Sequence, residues 1–375
     1  MDVTSIISSL NDAQRDAVCG ESGHQLILAG AGSGKTRVLV HRIAWLVQAE
    51  HASPHSILAV TFTNKAAREM RGRIEEQLDM PTRGMWVGTF HGLAHRLLKA
   101  HWMEAGLPEN FQILDSDEGK WPPRQAQWYI NSQKDEGKRA DHIEDWSDPY
   151  TRTMLQIYRE YENQCERGGM VDFGELLLRS HELWLKSPAV LNHYQQRFRY
   201  ILVDEFQDTN TVQYAWLRVL AGKTAAVTAV GDDDQSIYGW RGAKIENIHQ
   251  FSKDYPNARI VRLEQNYRST STILSAANAV IGYNHDRLGK ELWTDGEEGD
   301  AISLYAGFNE VDEANFIVGR IESWANEGNS KSDCAILYRS NAQSRALEDA
   351  LLRAAIPYRV YGGQRFYDRL EIRNA

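Results

Sequence analysis

Short apolar runs, rich in β-branched side chains and ended by polar residues or glycine, recur along the chain. This pattern is typical of buried parallel strands. Between the first two runs, the segment KTRVLVHRIAWLVQ places apolar residues at helical spacing. A strand–helix–strand rhythm predicts an α/β fold with a parallel sheet and right-handed crossovers. The predicted strands occupy residues 24–30, 56–62, 85–90, 200–205, 225–232 and 258–264.

Residues 90–198 interrupt this rhythm. They are rich in Trp, Tyr, Gln, Arg and Glu at helical spacing, and they predict no strand. We therefore expect an inserted helical domain at 90–198, between two strands of one sheet. The first α/β domain is then formed by residues 1–89 and 199–264.

Residues 265–375 resume the alternation of strands and helices. Strands are predicted in ISLYAGF, DCAILYRS and YRVYGG, and helices in DEANFIVGRIESWANEG, SRALEDALLRAAI and RFYDRLEIRNA. We interpret 265–375 as a second α/β domain. It is expected to be partial, because the sequence stops inside a predicted helix.

Composition narrows the class of protein. Apolar residues make up 42% and charged residues 25%, as in a folded globular protein. The N-terminus does not resemble a signal peptide, no apolar run is long enough to span a membrane, and the three cysteines have no paired or metal-binding spacing. We expect a cytoplasmic protein. The net charge of −9 argues against a general nucleic-acid-coating surface, so any such contact must be a local groove aided by stacking.

A glycine-rich loop, AGAGSGKT, lies between the first predicted strand and the following helix. Such a loop turns its backbone N–H groups toward phosphate oxygens, and the helix N-terminus adds partial positive charge. Lys35 is expected to reach the β/γ-phosphates and Thr36 to hold Mg²⁺. The alternative is a glycine-rich turn that caps a helix. The residues assigned to this loop are Ala29, Gly30, Ala31, Gly32, Ser33, Gly34, Lys35 and Thr36.

A pair of acids, Asp204 and Glu205, follows the strand at 200–205. Carboxyl ends of parallel strands meet at one sheet edge, so the pair is expected beside the glycine-rich loop. Asp204 would then hold Mg²⁺, and Glu205 would polarise the attacking water. The alternative is a helix-capping pair.

The stretch VGDDDQSIYGWRGA, residues 230–243, places three acids and Gln235 just before Tyr238 and Trp240. Acids beside flat aromatics suit neither a buried core nor a plain solvated loop. The aromatic pair could stack on nucleic-acid bases or pack at a domain interface.

Seven segments together resemble superfamily-1 DNA helicases of the UvrD/Rep/PcrA group. They are LNDAQRDAV, AGAGSGKTRVL, VTFTNKAAREMRGR, VGTFHGLAHR, ILVDEFQDTN, VGDDDQSIYGWRGA and LEQNYRST. The resemblance implies RecA-like domains that hold ATP with Mg²⁺, and a 3′→5′ single-stranded DNA translocase and helicase of DNA repair. It also implies single-stranded DNA and single/double-strand junctions as substrates, and mismatch- and excision-repair proteins as partners.

The resemblance also implies individual roles. Gln14 would contact the adenine, and Tyr267 and Arg37 would sandwich it. Gln235 would sense the γ-phosphate. Arg73 would approach the phosphates, and Arg268 would act as an arginine finger. The DNA contacts would be Phe62, Thr89, His91, Tyr238 and Trp240. An alternative for His91 is a hydrogen-bonded cap after a strand.

Two departures from the family are visible. A helical stretch usual between ILDSDEG and KWPPRQ is nearly absent, and the family's later motifs, which include a second arginine finger, do not occur. We therefore expect retained nucleotide binding but weak ATPase and strand separation, unless another chain supplies the rest. Two alternatives stay open: an ATP- or DNA-binding module that forms one part of a complete motor, and a P-loop enzyme that transfers phosphate to a small molecule.

Overall fold

A computed structural model describes residues 3–21, 23–114, 124–144, 148–285 and 287–361. The chain forms two compact units, residues 1–299 and 300–375. The elements of the first unit, in chain order, are α1 (Thr4–Ile7), α2 (Asp12–Cys19), β1 (Gln25–Ala29), α3 (Lys35–Gln48), β2 (Ile57–Thr61), α4 (Asn64–Leu78), β3 (Trp86–Thr89), α5 (Phe90–Ala100), β4 (Gln112–Ile113), α6 (Arg124–Asp135), α7 (Pro149–Gly168), β5 (Met170–Val171), α8 (Phe173–Lys186), α9 (Pro188–Arg197), β6 (Tyr200–Val203), α10 (Thr211–Ala221), β7 (Ala226–Gly231), α11 (Glu246–Asp254), β8 (Arg259–Leu263) and α12 (Ser271–Ile281).

Six parallel strands form one sheet in the order β3-β2-β6-β7-β1-β8. Each lies within a run predicted from the sequence, which confirms the parallel α/β fold. Strand β1 lies between β7 and the edge strand β8, and β6 pairs with β7. The loops that follow β1, β6 and β7 therefore meet at the same edge of the sheet, where the candidate site lies.

Each face of the sheet is covered by helices. Alternate side chains of β1 enter two different cores: Leu26 and Leu28 pack with α5, α8, α9, α10 and α11, whereas Ile27 and Ala29 pack with α1 to α4. All five residues of β1 are buried. This burial on both faces explains why the strand reads as a continuous apolar run rather than an alternating one.

The interrupting segment is helical, as predicted, but it also contains a short pair of parallel strands. β4 and β5 pair through Gln112 with Met170 and Ile113 with Val171. The prediction of no strand was wrong here, because a two-residue ladder leaves no apolar periodicity. The predicted deficit between ILDSDEG and KWPPRQ lies almost entirely outside the described residues.

A network of buried charges joins the helices of this segment. Glu175, which is 5% exposed, accepts hydrogen bonds from Arg139 and Arg179 and forms an ion pair with Lys134 at 3.1 Å. Lys134 also donates to Asp172 at 2.7 Å. Burial opposes charge on Glu175, but Lys134 and Arg139 outweigh it and hold its pKa well below the ordinary value. The helices are therefore tied together by ion pairs that depend on one another.

The second unit contains α13 (Glu310–Asn326) and α14 (Ser344–Arg353). Helix α14 lies within its predicted helix, whereas α13 overlaps the helix predicted at 312–328 but begins two residues earlier. The strands predicted in ISLYAGF, DCAILYRS and YRVYGG are not formed among residues 300–361. A strand needs a hydrogen-bonded neighbour, and the side chains of Leu304 and Leu337 are instead 97% and 94% exposed. The helix predicted in RFYDRLEIRNA lies outside the described residues.

Residues 265–299 pack into the first unit. The domain boundary predicted after residue 264 stays a prediction. In the part of the chain that the structure describes, no helix is long and apolar enough to cross a membrane.

Candidate nucleotide and nucleic-acid site

The glycine-rich loop joins the end of β1 to the start of α3. Gly34 precedes α3 with φ +88°, a left-handed conformation that favours glycine. The Ser33 hydroxyl donates to the carbonyl of Gly30 at 2.8 Å and closes the turn. A Cβ on Gly32, at φ +68°, would lie 2.5 Å from Nδ2 of Asn266. Positions 32 and 34 of the loop therefore require glycine, which allows the tight turn of a phosphate-binding loop.

The predicted acid pair lies beside this loop. Nζ of Lys35 is 2.9 Å from Oε2 of Glu205, and the Thr36 hydroxyl donates to Oδ2 of Asp204 at 3.4 Å. Burial, and then the neighbouring Glu205 carboxylate, raise the pKa of Asp204 to about 6, while Lys35 opposes the rise. Gln207 donates to the same Glu205 oxygen at 3.0 Å. The structure thus brings together Lys35, Thr36, Asp204 and Glu205. In the described chain, the side chains of the acid pair Asp204 and Glu205 do not cap a helix, which was the alternative interpretation.

Gln14 and Tyr267 contact the other side of the loop. Nε2 of Gln14 donates to the carbonyl of Ser33 at 2.8 Å, and the backbone N–H of Tyr267 donates to the carbonyl of Gly32 at 2.9 Å. The Tyr267 hydroxyl accepts from Nδ2 of Asn11 at 2.6 Å, and Asn11 caps α2 in a capping box with Gln14. Gln14 and Tyr267, two of the three residues predicted to contact adenine, therefore both contact the loop.

Arg37 follows the loop on α3. Its guanidinium donates to the carbonyl of Ser9 at 2.9 Å. Ser9 lies between α1 and α2, so this contact ties Arg37 to the N-terminal helices. Its predicted adenine contact stays a prediction.

The acids of 232–234 have partners that sequence reasoning missed. Lys290 is 2% exposed at its side chain and lies 2.7 Å from Asp232, 2.5 Å from Asp233 and 3.0 Å from Asp234. Arg287 donates to both oxygens of Asp234, at 2.9 and 2.7 Å. The two cations explain how three successive carboxylates are accommodated at the end of β7. The only sequence signal for these contacts was the pair of basic residues Arg287 and Lys290, some fifty residues further along the chain. No local pattern identifies the acids with which that pair interacts.

One cleft of about 820 Å³ joins the nucleotide side to the predicted nucleic-acid side. Its lining includes Thr36, Asp204, Glu205 and Gln235 from the nucleotide side, and also Phe62, His91, Phe173, Tyr238 and Arg241. Of the predicted DNA contacts, Phe62, His91 and Tyr238 share a cavity with the acid pair. This continuity is the main geometric feature of the site.

Of the aromatic pair, Tyr238 lines the cleft and Trp240 packs near Tyr238. Trp240 is 67% exposed, and its ring lies 6.5 Å from that of Tyr238. The Arg241 guanidinium lies 4.5 Å from the Trp240 centroid. Exposed aromatic faces next to a cation match a base-stacking platform.

His91 and Thr89 occupy different surroundings. Burial lowers the pKa of His91, whose ring packs edge-on to Phe173 at 5.7 Å. The Thr89 hydroxyl accepts from the N–H of Gly92 at 3.1 Å and caps α5. Thr89 borders a separate groove lined also by Arg68, Arg71 and Arg96. The structure therefore does not bring Thr89 into the cleft with Phe62, His91 and Tyr238.

Comparison with known families accounts for this arrangement. The UvrD/REP helicase N-terminal domain matches residues 10–121 and 115–256, and the UvrD-like helicase C-terminal domain matches residues 261–375. The chain belongs to the UvrD/REP helicase family. It is 61% identical to DNA helicase II of Escherichia coli, with all of this chain aligned to 54% of the relative, and 56% identical to DNA helicase II of Haemophilus influenzae over the same shares. It is 43% identical to the ATP-dependent DNA helicase PcrA of Staphylococcus aureus, over 99% of this chain and 53% of the relative. The chain thus spans about half the length of these curated relatives.

Two residues predicted to contact the phosphates, Arg73 and Arg268, have no described bond to the acid pair. Arg73 on α4 is exposed and pairs with Glu69 of the same helix at 2.5 Å. Arg268 is exposed beside the loop, and its backbone N–H donates to Asn266 at 2.8 Å. The described structure gives neither guanidinium a partner in the cleft, so both roles stay predictions.

Proposed function

We propose that the chain carries the ATP-binding and strand-gripping part of a UvrD/REP-type DNA helicase, which couples ATP hydrolysis to 3′→5′ movement along single-stranded DNA. The continuous cleft is the observation that carries this proposal. Because Glu205 and Tyr238 line the same cavity, a change at the phosphates can reach a stacked base over a short path. The names of the relatives, DNA helicase II and ATP-dependent DNA helicase PcrA, support the same function.

The residues of the loop support ATP hydrolysis. Lys35 is paired with Glu205 at 2.9 Å, and incoming phosphate oxygens would compete for that ammonium. Once released, Glu205 can accept a proton from the attacking water, oriented by the amide of Gln207. Gln235, whose side-chain amide donates to Asp232, is proposed to contact the γ-phosphate.

Mg²⁺ fits the oxygen donors of Thr36 and Asp204. A hydroxyl and a carboxylate are ligands this cation accepts, and the raised pKa of Asp204 reflects a buried carboxyl group whose charge is incompletely compensated. When bound, the cation would neutralise charge on the β- and γ-phosphates.

Single-stranded DNA is the proposed substrate, with single/double-strand junctions as the sites of unwinding. Tyr238 and Trp240 supply flat surfaces for bases of any sequence, each worth about 1–3 kcal/mol. A role in DNA repair alongside mismatch- and excision-repair proteins is proposed from the family resemblance.

The test is ATP hydrolysis by the purified chain with and without a single-stranded oligonucleotide, with the Lys35→Ala variant as the control for the site. We expect ATP binding that depends on Lys35, and turnover that rises when DNA is added. Turnover indifferent to DNA would instead favour phosphate transfer to a small molecule. ATP binding with no stimulated turnover would favour a binding module that needs another chain.

A further inference from the structure

A short segment after α12, residues 287–293, clasps the acidic turn that follows β7. We call residues 287–293 the clasp segment. Its Lys290 contacts Asp232, Asp233 and Asp234 within 3.0 Å. The backbone N–H of Leu288 donates to Asp233 at 2.7 Å. With the Arg287 bonds to Asp234, every acid of the turn is held by the clasp segment.

The clasp segment is linked to Gln235, the predicted γ-phosphate sensor, through the carboxylate of Asp232. Oδ1 of Asp232 pairs with Lys290 at 2.7 Å, while its Oδ2 accepts a hydrogen bond from the side-chain amide of Gln235. The backbone N–H of Asp232 donates to Gln207, whose amide in turn holds Glu205. Asp232 is 1% exposed, so water does not substitute for these contacts.

The far end of the clasp is fixed to the phosphate loop and to α12. The backbone of Leu292 exchanges hydrogen bonds with the side chain of Asn278, at 2.8 and 3.2 Å. A side chain on Gly30 would collide with Leu292, which shows how closely the segment approaches the loop. The clasp segment therefore contacts the acidic turn at one end and lies beside the glycine-rich loop at the other.

The electrostatics favour a fixed position for Lys290. Burial alone would lower its pKa, but Asp232 and Asp233 raise the pKa above the ordinary lysine value. The ammonium thus stays charged and fills the space between the three carboxylates. For this reason the acidic cluster is not available as a cation site, although its oxygens lie close together.

We propose that Lys290 is a positioning residue for Gln235, acting through Asp232. This inference rests on the proposed ATP-binding function. Because a buried carboxylate with one fixed partner has little freedom, Lys290 sets the direction in which Asp232 holds the amide of Gln235. Lys290 lies in the stretch matched by the C-terminal family model and Gln235 in the stretch matched by the N-terminal model. The orientation of the sensor is therefore set by a residue from the other matched region.

If Lys290 has a purely structural role, its replacement should weaken binding of ADP and of the triphosphate alike. If it positions Gln235, its replacement should reduce only the preference for the triphosphate over ADP. The measurement is the ratio of the Kd for ADP to the Kd for the non-hydrolysable ATP analogue AMPPNP, with Mg²⁺ present. We expect Gln235→Ala to lower this preference for the triphosphate roughly tenfold, since a hydrogen bond to a charged group is worth at least that factor. Lys290→Met should lower it to the same level and leave ADP affinity unchanged.

Three further variants sharpen the test. The double variant Lys290→Met/Gln235→Ala should be no worse than Gln235→Ala alone, because both changes remove one interaction. Lys290→Arg, which keeps the charge, should restore most of the preference. Lys186→Met removes a surface ion pair on α8 and should behave as wild type. If Lys290→Met does not fold, Asp232→Asn takes its place and should lose the preference, with Lys290 still paired to the other two acids.

The outcomes separate this inference from the proposed function. A wild-type preference in Lys290→Met or Asp232→Asn, or additive losses in the double variant, would overturn the positioning role. A wild-type chain that binds ADP and AMPPNP equally well would overturn it too, while the nucleotide site would stand. A chain that binds neither nucleotide would refute the proposed function itself.

Discussion

Asp135, the last residue of α6, is a carboxyl group that the fold makes costly to ionise. It lines the cleft and accepts a hydrogen bond from Nδ2 of Asn210 at 2.7 Å. Burial, and then the adjacent Glu136, raise its pKa from 3.8 to about 6. We predict that Asp135→Asn stabilises the chain above pH 6, because the amide removes the charge and can still accept the hydrogen bond from Asn210.

The size of the effect follows from the shift in pKa. A rise from 3.8 to about 6 is about two units, or about 3 kcal/mol at ~1.4 kcal/mol per unit. Since the folded pKa lies above the unfolded one, the penalty is absent below about pH 4, where both states hold the proton. Between pH 4 and 6 the unfolded state loses its proton first, so stability falls as pH rises. Above pH 6 the whole penalty is present, and we expect Asp135→Asn to recover about 2–3 kcal/mol of it.

Urea unfolding, followed by tryptophan fluorescence, measures this difference at pH 4 and at pH 8. The control is Asp141→Asn, which removes a surface carboxylate that is 84% exposed and should change little at either pH. Equal effects of Asp135→Asn at the two pH values, or destabilisation at pH 8, would refute the reasoning. Either result would mean that the carboxylate is compensated by groups other than Asn210.

Three other substitutions give separate tests. Glu205→Gln should keep or tighten ATP binding, because Lys35 loses its competing partner, and should reduce turnover at least ~100-fold; a binding assay beside a phosphate-release assay checks both. Trp240→Ala should weaken binding to a single-stranded oligonucleotide about tenfold in fluorescence anisotropy, whereas Trp128→Ala, equally exposed at 67%, should not; equal losses would argue against a stacking platform. Glu175→Gln should lower the free energy of unfolding by about 3 kcal/mol, because it leaves the buried cations Arg139 and Lys134 without their shared carboxylate. The control Glu160→Gln, at an exposed position, should leave the free energy of unfolding unchanged, and an unchanged value for Glu175→Gln would show that the two cations do not need Glu175.

The sequence predicted the sheet and the nucleotide loop because both are local signals. β1 and β2 are buried on both faces and so read as unbroken apolar runs. The loop needs left-handed glycines within a few residues of Lys35, and that spacing is visible in the sequence. The position of Asp204 beside Thr36 followed from parallel topology, which brings strand ends to one edge.

What the sequence did not reveal depends on distant partners. Nothing near Lys290 in the sequence indicates that it is buried in contact with Asp232. The β4–β5 pair is too short to leave a pattern. In residues 300–361 the opposite error occurred: the apolar run around Leu304 has strand character, but no neighbouring strand pairs with it in the described chain. Local propensity specifies a strand only when the rest of the fold supplies its neighbours.

The position of β1 in the sheet has a consequence for biosynthesis. β1 ends at Ala29, yet both of its neighbours, β7 and β8, come more than 190 residues later, at Ala226–Gly231 and Arg259–Leu263. At about 5–20 residues per second, a ribosome needs roughly ten to fifty seconds to make that intervening chain. During this interval the most apolar strand of the nucleotide site is made but unpaired. We therefore expect nascent chains that end before β7 to be bound by chaperones, and the phosphate loop to acquire its shape only after β8 has emerged.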